Sequence, residues 1–87
     1  MVSKANVAGL ISSKVVQLLR KEREQQGMSM NVLAQRSGLA QSTISRIEHE
    51  LRIPNLETLL RMSMVLEVDL GRVIQQAKAG TGPAKRG

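Results

Sequence analysis

The chain has 87 residues and no cysteine, so it holds one domain at most and neither a disulfide nor a thiolate metal site. It also lacks Phe, Tyr and Trp, which excludes aromatic platforms for stacking single-stranded bases and leaves Leu, Ile, Val, Met and Ala to build a core that favours helices. The net charge is +6, yet residues 13–76 carry nine Lys and Arg against seven Asp and Glu, the remainder being Lys4, Lys78, Lys85 and Arg86, so the position of the cations and not their total must carry any nucleic-acid argument.

Residues 1–11 are small and weakly patterned. They read as a partly flexible N-terminal arm or as an extension of the first helix. The apolar stretch at 7–11 follows a single Lys4 and is too short for a signal peptide, and no run approaches a membrane span. The sequence therefore leads us to expect a cytoplasmic protein, in keeping with the absent cysteines.

The first helix is expected from Ser12 or Ser13 to about Gln26. Ile11, Val15, Leu18, Leu19 and Glu22 repeat at spacings of three and four, and Gly27 closes it. Ser29 is the N-cap of a second helix ending at Gly38, where a left-handed backbone suits glycine. A third runs from Gln41 to Glu48 with Ile44 and Ile47 inward. After Pro54, Asn55 caps a fourth helix to about Leu66, carrying Leu56, Leu59, Leu60, Met62 and Met64. Asp69 caps a fifth to about Ala77, with Leu70, Val73 and Ile74. Residues 78–87 are basic, Gly-rich and aperiodic, and read as a disordered tail. The expected organisation is an arm at 1–11, an all-α five-helix domain at 12–77 and the tail.

The informative segment is 29–48. On periodicity alone, an ordinary αα-hairpin with a solvated outer face is the simpler reading. Three features together specify a steep crossing instead: small Ala34 four residues before Gly38, Leu39 filling the gap after the turn, and the branched anchors Ile44 and Ile47. The outer face of the third helix then presents Gln41, Ser42, Thr43, Ser45 and Arg46. None is acidic, so phosphate would not be repelled.

Residues 19–74 resemble the Cro and phage-repressor type of helix-turn-helix domain, also called the xenobiotic-response-element family. The matching stretches are Arg23, Gly27-Met-Ser29, Leu33-Ala34-Gln35, Ser37-Gly38-Leu39, Gln41-Ser-Thr-Ile-Ser-Arg-Ile-Glu48 and Pro54-Asn-Leu-Glu-Thr-Leu-Leu60. The resemblance implies a phage-repressor-like fold whose recognition helix, residues 40–48, enters the DNA major groove. It implies base contacts from Gln41, Ser42 and Arg46: Gln suits adenine N6 and N7, and Arg suits guanine O6 and N7. Arg46 taken alone also fits a plain surface cation. Backbone contacts are implied for Ser29, the Met30 amide, Arg36, Thr43, Ser45, Arg52 and Asn55. Arg23 and Glu48 align with a semi-buried structural ion pair, although two unrelated surface charges would read the same way.

The chain departs from the family pattern at three places. Met30 stands where the family usually has Gln, His49-Glu50 where it has Asn-Gly, and Glu67 where it has Gly. Glu50 would then adopt positive φ, with its carboxylate near the expected phosphate path. His49, the one histidine, has no metal-ligand spacing around it and reads as an exposed turn residue. The five Met residues read as core filler, except Met30 as a surface residue. The expected function is a sequence-specific transcriptional regulator binding double-stranded DNA as a homodimer, with the fifth helix or residues 7–11 as candidate dimer surfaces. The alternative is an antitoxin, or another protein-binding member of the family, that also binds its own operator. No paired carboxylates, nucleophile–base set or phosphate loop suggests an enzyme, and no cofactor or metal is expected.

Overall fold

In the computed structural model, which describes residues 4–81, five helices follow one another: α1 (Lys4–Gln25), α2 (Met30–Ser37), α3 (Gln41–Glu48), α4 (Leu56–Leu66) and α5 (Leu70–Thr81). No strand occurs among the described residues. The N-caps are those the sequence offers. Ser29 Oγ accepts the Val32 N–H at 3.1 Å, Asn55 Oδ1 accepts that of Thr58 at 2.8 Å, and Asp69 Oδ1 accepts that of Gly71 at 2.8 Å.

The first four helices share one kind of ending. Each is followed by a residue at positive φ: Gly27 (67°), Gly38 (77°), Glu50 (60°) and Glu67 (58°). The next N–H then reaches back five residues, from Met28 to Arg23 O, Leu39 to Ala34 O, Leu51 to Arg46 O and Val68 to Ser63 O, at 2.8–3.1 Å. This closes the carbonyls that a helix end leaves open. Glycine takes this backbone without penalty, whereas an L-residue pays roughly 1–2 kcal/mol.

The two glutamates differ in what offsets that cost. The Glu50 carboxylate accepts Ser13 Oγ–H at 2.6 Å and Gln17 Nε2–H at 2.7 Å, which ties the turn after α3 to α1. Glu67 is exposed, and its side chain has no hydrogen-bond partner among the described residues. Glu67→Gly is therefore expected to stabilise the protein by about 1 kcal/mol. Glu50→Gly should gain less, because it gives up two hydrogen bonds. Urea unfolding of the two variants beside the parent measures the difference, and equal gains would contradict the assigned role of the Glu50 carboxylate.

The core draws on every helix: Val15, Val16 and Leu19 from α1, Leu33 and Ala34 from α2, Ile44 and Ile47 from α3, Met62 and Leu66 from α4, and Leu70, Val73 and Ala77 from α5. Several sequence expectations are corrected here. Residues 4–11 are helical, the second of the two readings offered for the arm, so α1 begins about two turns before Ser12, and α5 packs more extensively on α1 than any other helix pair does. The α5 helix likewise continues beyond Ala77, whose buried side chain anchors its last turn, so residues 78–81 of the expected tail are helical. Residues 1–3 of the arm and 82–87 of the tail lie outside the described residues.

Leu70 and Val73 are buried against the rest of the molecule, which removes the apolar face of α5 as a dimer surface. Met64 is exposed and is not core filler, whereas Met30 is half-buried against the core and is not a free surface residue. Leu56 and Leu60 also point outward from α4.

Candidate nucleic-acid interface

The short helix α3 is positioned by its own anchors. Ile44 and Ile47 are completely buried, Leu39 is half-buried beneath the turn, and Ala34 on α2 is buried where the two helices cross. Gly38 makes the turn. A Cβ there would stand 3.0 Å from Arg61 Nη1, on a backbone that already disfavours side chains. Arg61 is fixed at that spot because Nη1 donates to Ser37 O at 3.1 Å while Nε and Nη2 hold Glu57 at 3.1 and 2.9 Å. A side chain of α4 thus closes the end of α2, a role that the linear sequence does not signal. Gln26 does the same for α4, donating from Nε2 to Leu66 O at 2.8 Å.

With Ile44 and Ile47 inward, helical geometry turns two pairs outward at a spacing of four: Gln41 with Ser45, and Ser42 with Arg46. Gln41, Ser42 and Arg46 are exposed, while Thr43 and Ser45 are half-buried at the margin. His49 falls on the same outward face, one turn further on, which the sequence reading did not anticipate. Its Nδ1 lies 2.8 Å from Ser45 O, so that nitrogen donates.

The side chains assigned to phosphate have donors to spare. Ser29 Oγ accepts from Val32 and keeps its hydroxyl proton, and Asn55 Oδ1 accepts from Thr58 and keeps both amide protons. Ser29 takes up the N–H groups of Val32 and Leu33, leaving those of Met30 and Asn31 open at the start of α2. Met30 thus offers its backbone although its side chain packs inward. The arginines divide by position. Arg20, Arg23 and Arg61 are held by glutamates, whereas exposed Arg36, Arg46 and Arg52, and Arg72 on α5, have no ion-pair partner among the described residues. The Glu50 carboxylate is turned to α1 by its two hydrogen bonds, as described above, and makes no ion pair with these arginines among the described residues, although it keeps its charge.

Arg23 and Glu48 form the base on which this surface stands. Arg23 donates from Nε to Glu48 Oε2 at 2.7 Å and from Nη2 to Oε1 at 2.8 Å, and its Nη1 donates to Met28 O at 2.7 Å. Glu48 is only 2% exposed. The pair joins α1 to the last residue of α3 and braces the turn leading to α2. The hydrogen bond to Glu48 is the main reason that the Arg23 guanidinium is held above its ordinary pKa, outweighing burial, which acts the other way. Stability from this rise is complete below the unfolded arginine pKa and is lost only as pH climbs through the raised value, far above neutrality.

No group of three or more His, Cys, Asp or Glu suited to a metal occurs among the described residues, and no described helix is long and apolar enough to cross a membrane. The arrangement is a polar, cation-bearing ridge set on a rigid base, with donors facing outward on both sides of it.

A family model described as helix-turn-helix matches residues 19–73. An uncharacterised HTH-type transcriptional regulator of Sinorhizobium fredii is 41% identical over 56 residues, which are 64% of this chain and 29% of that protein. The chain thus spans less than a third of that relative's length. No solved structure matches it. The matched segment holds the whole of α2, the turn and α3, together with Arg23 and Glu48. With its five-helix architecture, the chain belongs to the helix-turn-helix family of the Cro and phage-repressor type.

Proposed function

We propose that this protein is a sequence-specific transcriptional regulator that binds a two-fold-related DNA operator as a homodimer and reads it with α3. The observation that carries the reading is the outward face of α3, where Gln41, Ser42 and Arg46 are exposed, unpaired with any carboxylate and fixed by the buried Ile44 and Ile47. Gln41 has the planar donor–acceptor pair that matches adenine, and Arg46 the planar pair of donors that matches guanine, in the major groove. Ser42 lies between them. Arg36, Arg52, Ser29, Asn55 and the open N–H of Met30 meet phosphates on either side, and Thr43 and Ser45 meet the backbone at the edge of the groove.

One such helix reads only a few base pairs, so two copies are needed for tight, specific binding. Selection of bound sites from a random duplex library tests this. The expected product is a short motif repeated with two-fold symmetry, half-sites about one helical turn apart. A pool with no enriched motif, or a single unrepeated half-site, would overturn the corresponding part of the reading. Working beside its target DNA, the protein would act in the cytoplasm, without a cofactor and without catalysis.

A further inference from the structure

We infer that the outer face of α4, centred on Leu60, is the surface through which two copies of this chain pair. The inference rests on the homodimer reading above and adds the place of contact. Leu56, Leu60 and Met64 recur every four residues on α4 and are 64%, 42% and 73% exposed. Together they leave roughly 300–350 Å² open as one stripe, the size of an apolar patch that is often functional on a soluble monomer. With the flanking Glu57 and Arg61, the face has the apolar centre and charged rim of an interface. The apolar face of α5 is used up, since Leu70, Val73 and Ala77 are spent on α1 and the core, and the other exposed large apolar residues, Leu10, Leu51 and Ile53, form no stripe along one helix.

A second copy of the chain fits this face by its charge pattern. Glu57 and Arg61 are exposed, joined at 2.9 Å, and lie on the same side of the stripe. A two-fold axis at Leu60 runs the two α4 helices antiparallel. It sets Leu60 against its own copy, Leu56 against Met64 of the other chain, and Glu57 alongside Arg61 of the other chain. The stripe is thus complementary to itself in both shape and charge, which an isologous interface requires. The side of α4 away from these charges holds Leu59, Met62, Ser63 and Leu66, which are turned into the core, so the axis cannot move there.

The test is sedimentation of the full chain with Met64→Lys, together with cysteine cross-linking. The parent is expected to be a dimer in the micromolar range. Met64→Lys should be monomeric there with an unchanged helical circular dichroism spectrum, because the side chain it replaces lies outside the core. The parent has no cysteine, so Leu60→Cys supplies a single thiol per chain. With oxidised glutathione it should give a disulfide-linked dimer, and a mixture of Leu56→Cys and Met64→Cys chains should cross-link more than either alone. Gln75→Cys, exposed on α5, should remain uncrosslinked.

A parent that is monomeric both alone and on operator DNA would overturn the proposal, as would a Met64→Lys protein that still dimerises. The same would follow if the face were covered only when a different protein is added. Loss of two-fold operator binding by Met64→Lys, with binding to a single half-site retained, separates failure of this surface from failure of DNA reading. A parent that dimerises and binds no DNA would leave the surface standing and remove the regulator reading.

Discussion

Arg23→Met is expected to cost about 3–5 kcal/mol of stability, the range for removing one member of a buried ion pair. For a chain of this size that is a large part of the total, on the order of 0.05–0.15 kcal/mol per residue. The cost arises from what is left behind. Glu48 is 2% exposed and would lose both of its strong donors, and the Met28 carbonyl would lose its own. Arg20 stands 3.8 Å from Glu48 Oε1 and offers partial relief, which places the expected loss nearer the lower figure. Glu48→Leu alone should also destabilise, because the Arg23 guanidinium would be stranded. The double variant Arg23→Met with Glu48→Leu should recover most of either loss, since two apolar side chains leave no charge unsatisfied. Urea unfolding across this cycle measures the coupling. Additive losses would mean that the two residues act independently, contrary to the geometry.

Arg46→Ala is expected to leave the fold intact and to remove discrimination at one base pair of each half-site, by about 1–3 kcal/mol, or roughly fivefold to 150-fold. Its side chain is exposed and makes no ion pair, so nothing in the protein depends on it. Arg36→Ala and Arg52→Ala should behave differently. Both should weaken binding by a similar factor on all sequences and lower the salt dependence by about one counterion each. Competition binding with variant duplexes, repeated over a salt series, distinguishes the two patterns. If Arg46→Ala lowers affinity equally on every sequence, that arginine serves the phosphates and specificity lies elsewhere on α3.

The helices were legible in the sequence where local chemistry decides. Ser29, Asn55 and Asp69 mark helix starts by their own side chains, and Gly27 and Gly38 mark ends by their backbone freedom. The ends at Glu50 and Glu67 bear no such mark. They show only against the family pattern, as glutamates where glycine is usual, and the structure gives them the backbone of the glycines they replace. Tertiary partners decide the rest. The last turn of α5 is held by buried Ala77 and lies beside Lys14 of α1, and neither it nor the start of α1 has a strong pattern alone. In α4 the apolar residues surround the helix, so periodicity could not tell inward Met62 from outward Met64. The contacts of Arg61 with Ser37 and of Gln26 with Leu66 span 24 and 40 residues, and no local signal announces them.

The candidate site was more legible than the scaffold around it. Two buried isoleucines three apart fix the rotation of an eight-residue helix, and the outward residues follow. His49 was missed because it follows the last helical residue, where the expected turn hid its place on the same face. Glu50 raised an electrostatic objection from its position alone. Its hydrogen bonds to Ser13 and Gln17 show what the carboxylate does for the fold, and they connect segments more than thirty residues apart.

The central claim is that α3 meets the duplex with its outward face. Titrating isotope-labelled protein with its selected operator and following each amide by NMR tests it most directly. The account predicts the largest shifts at Gln41, Ser42, Ser45 and Arg46, with smaller ones at the start of α2 and around Arg52 and Asn55, and little change along α5. Shifts concentrated on α5 or the outer side of α1, with residues 41–46 unmoved, would contradict it.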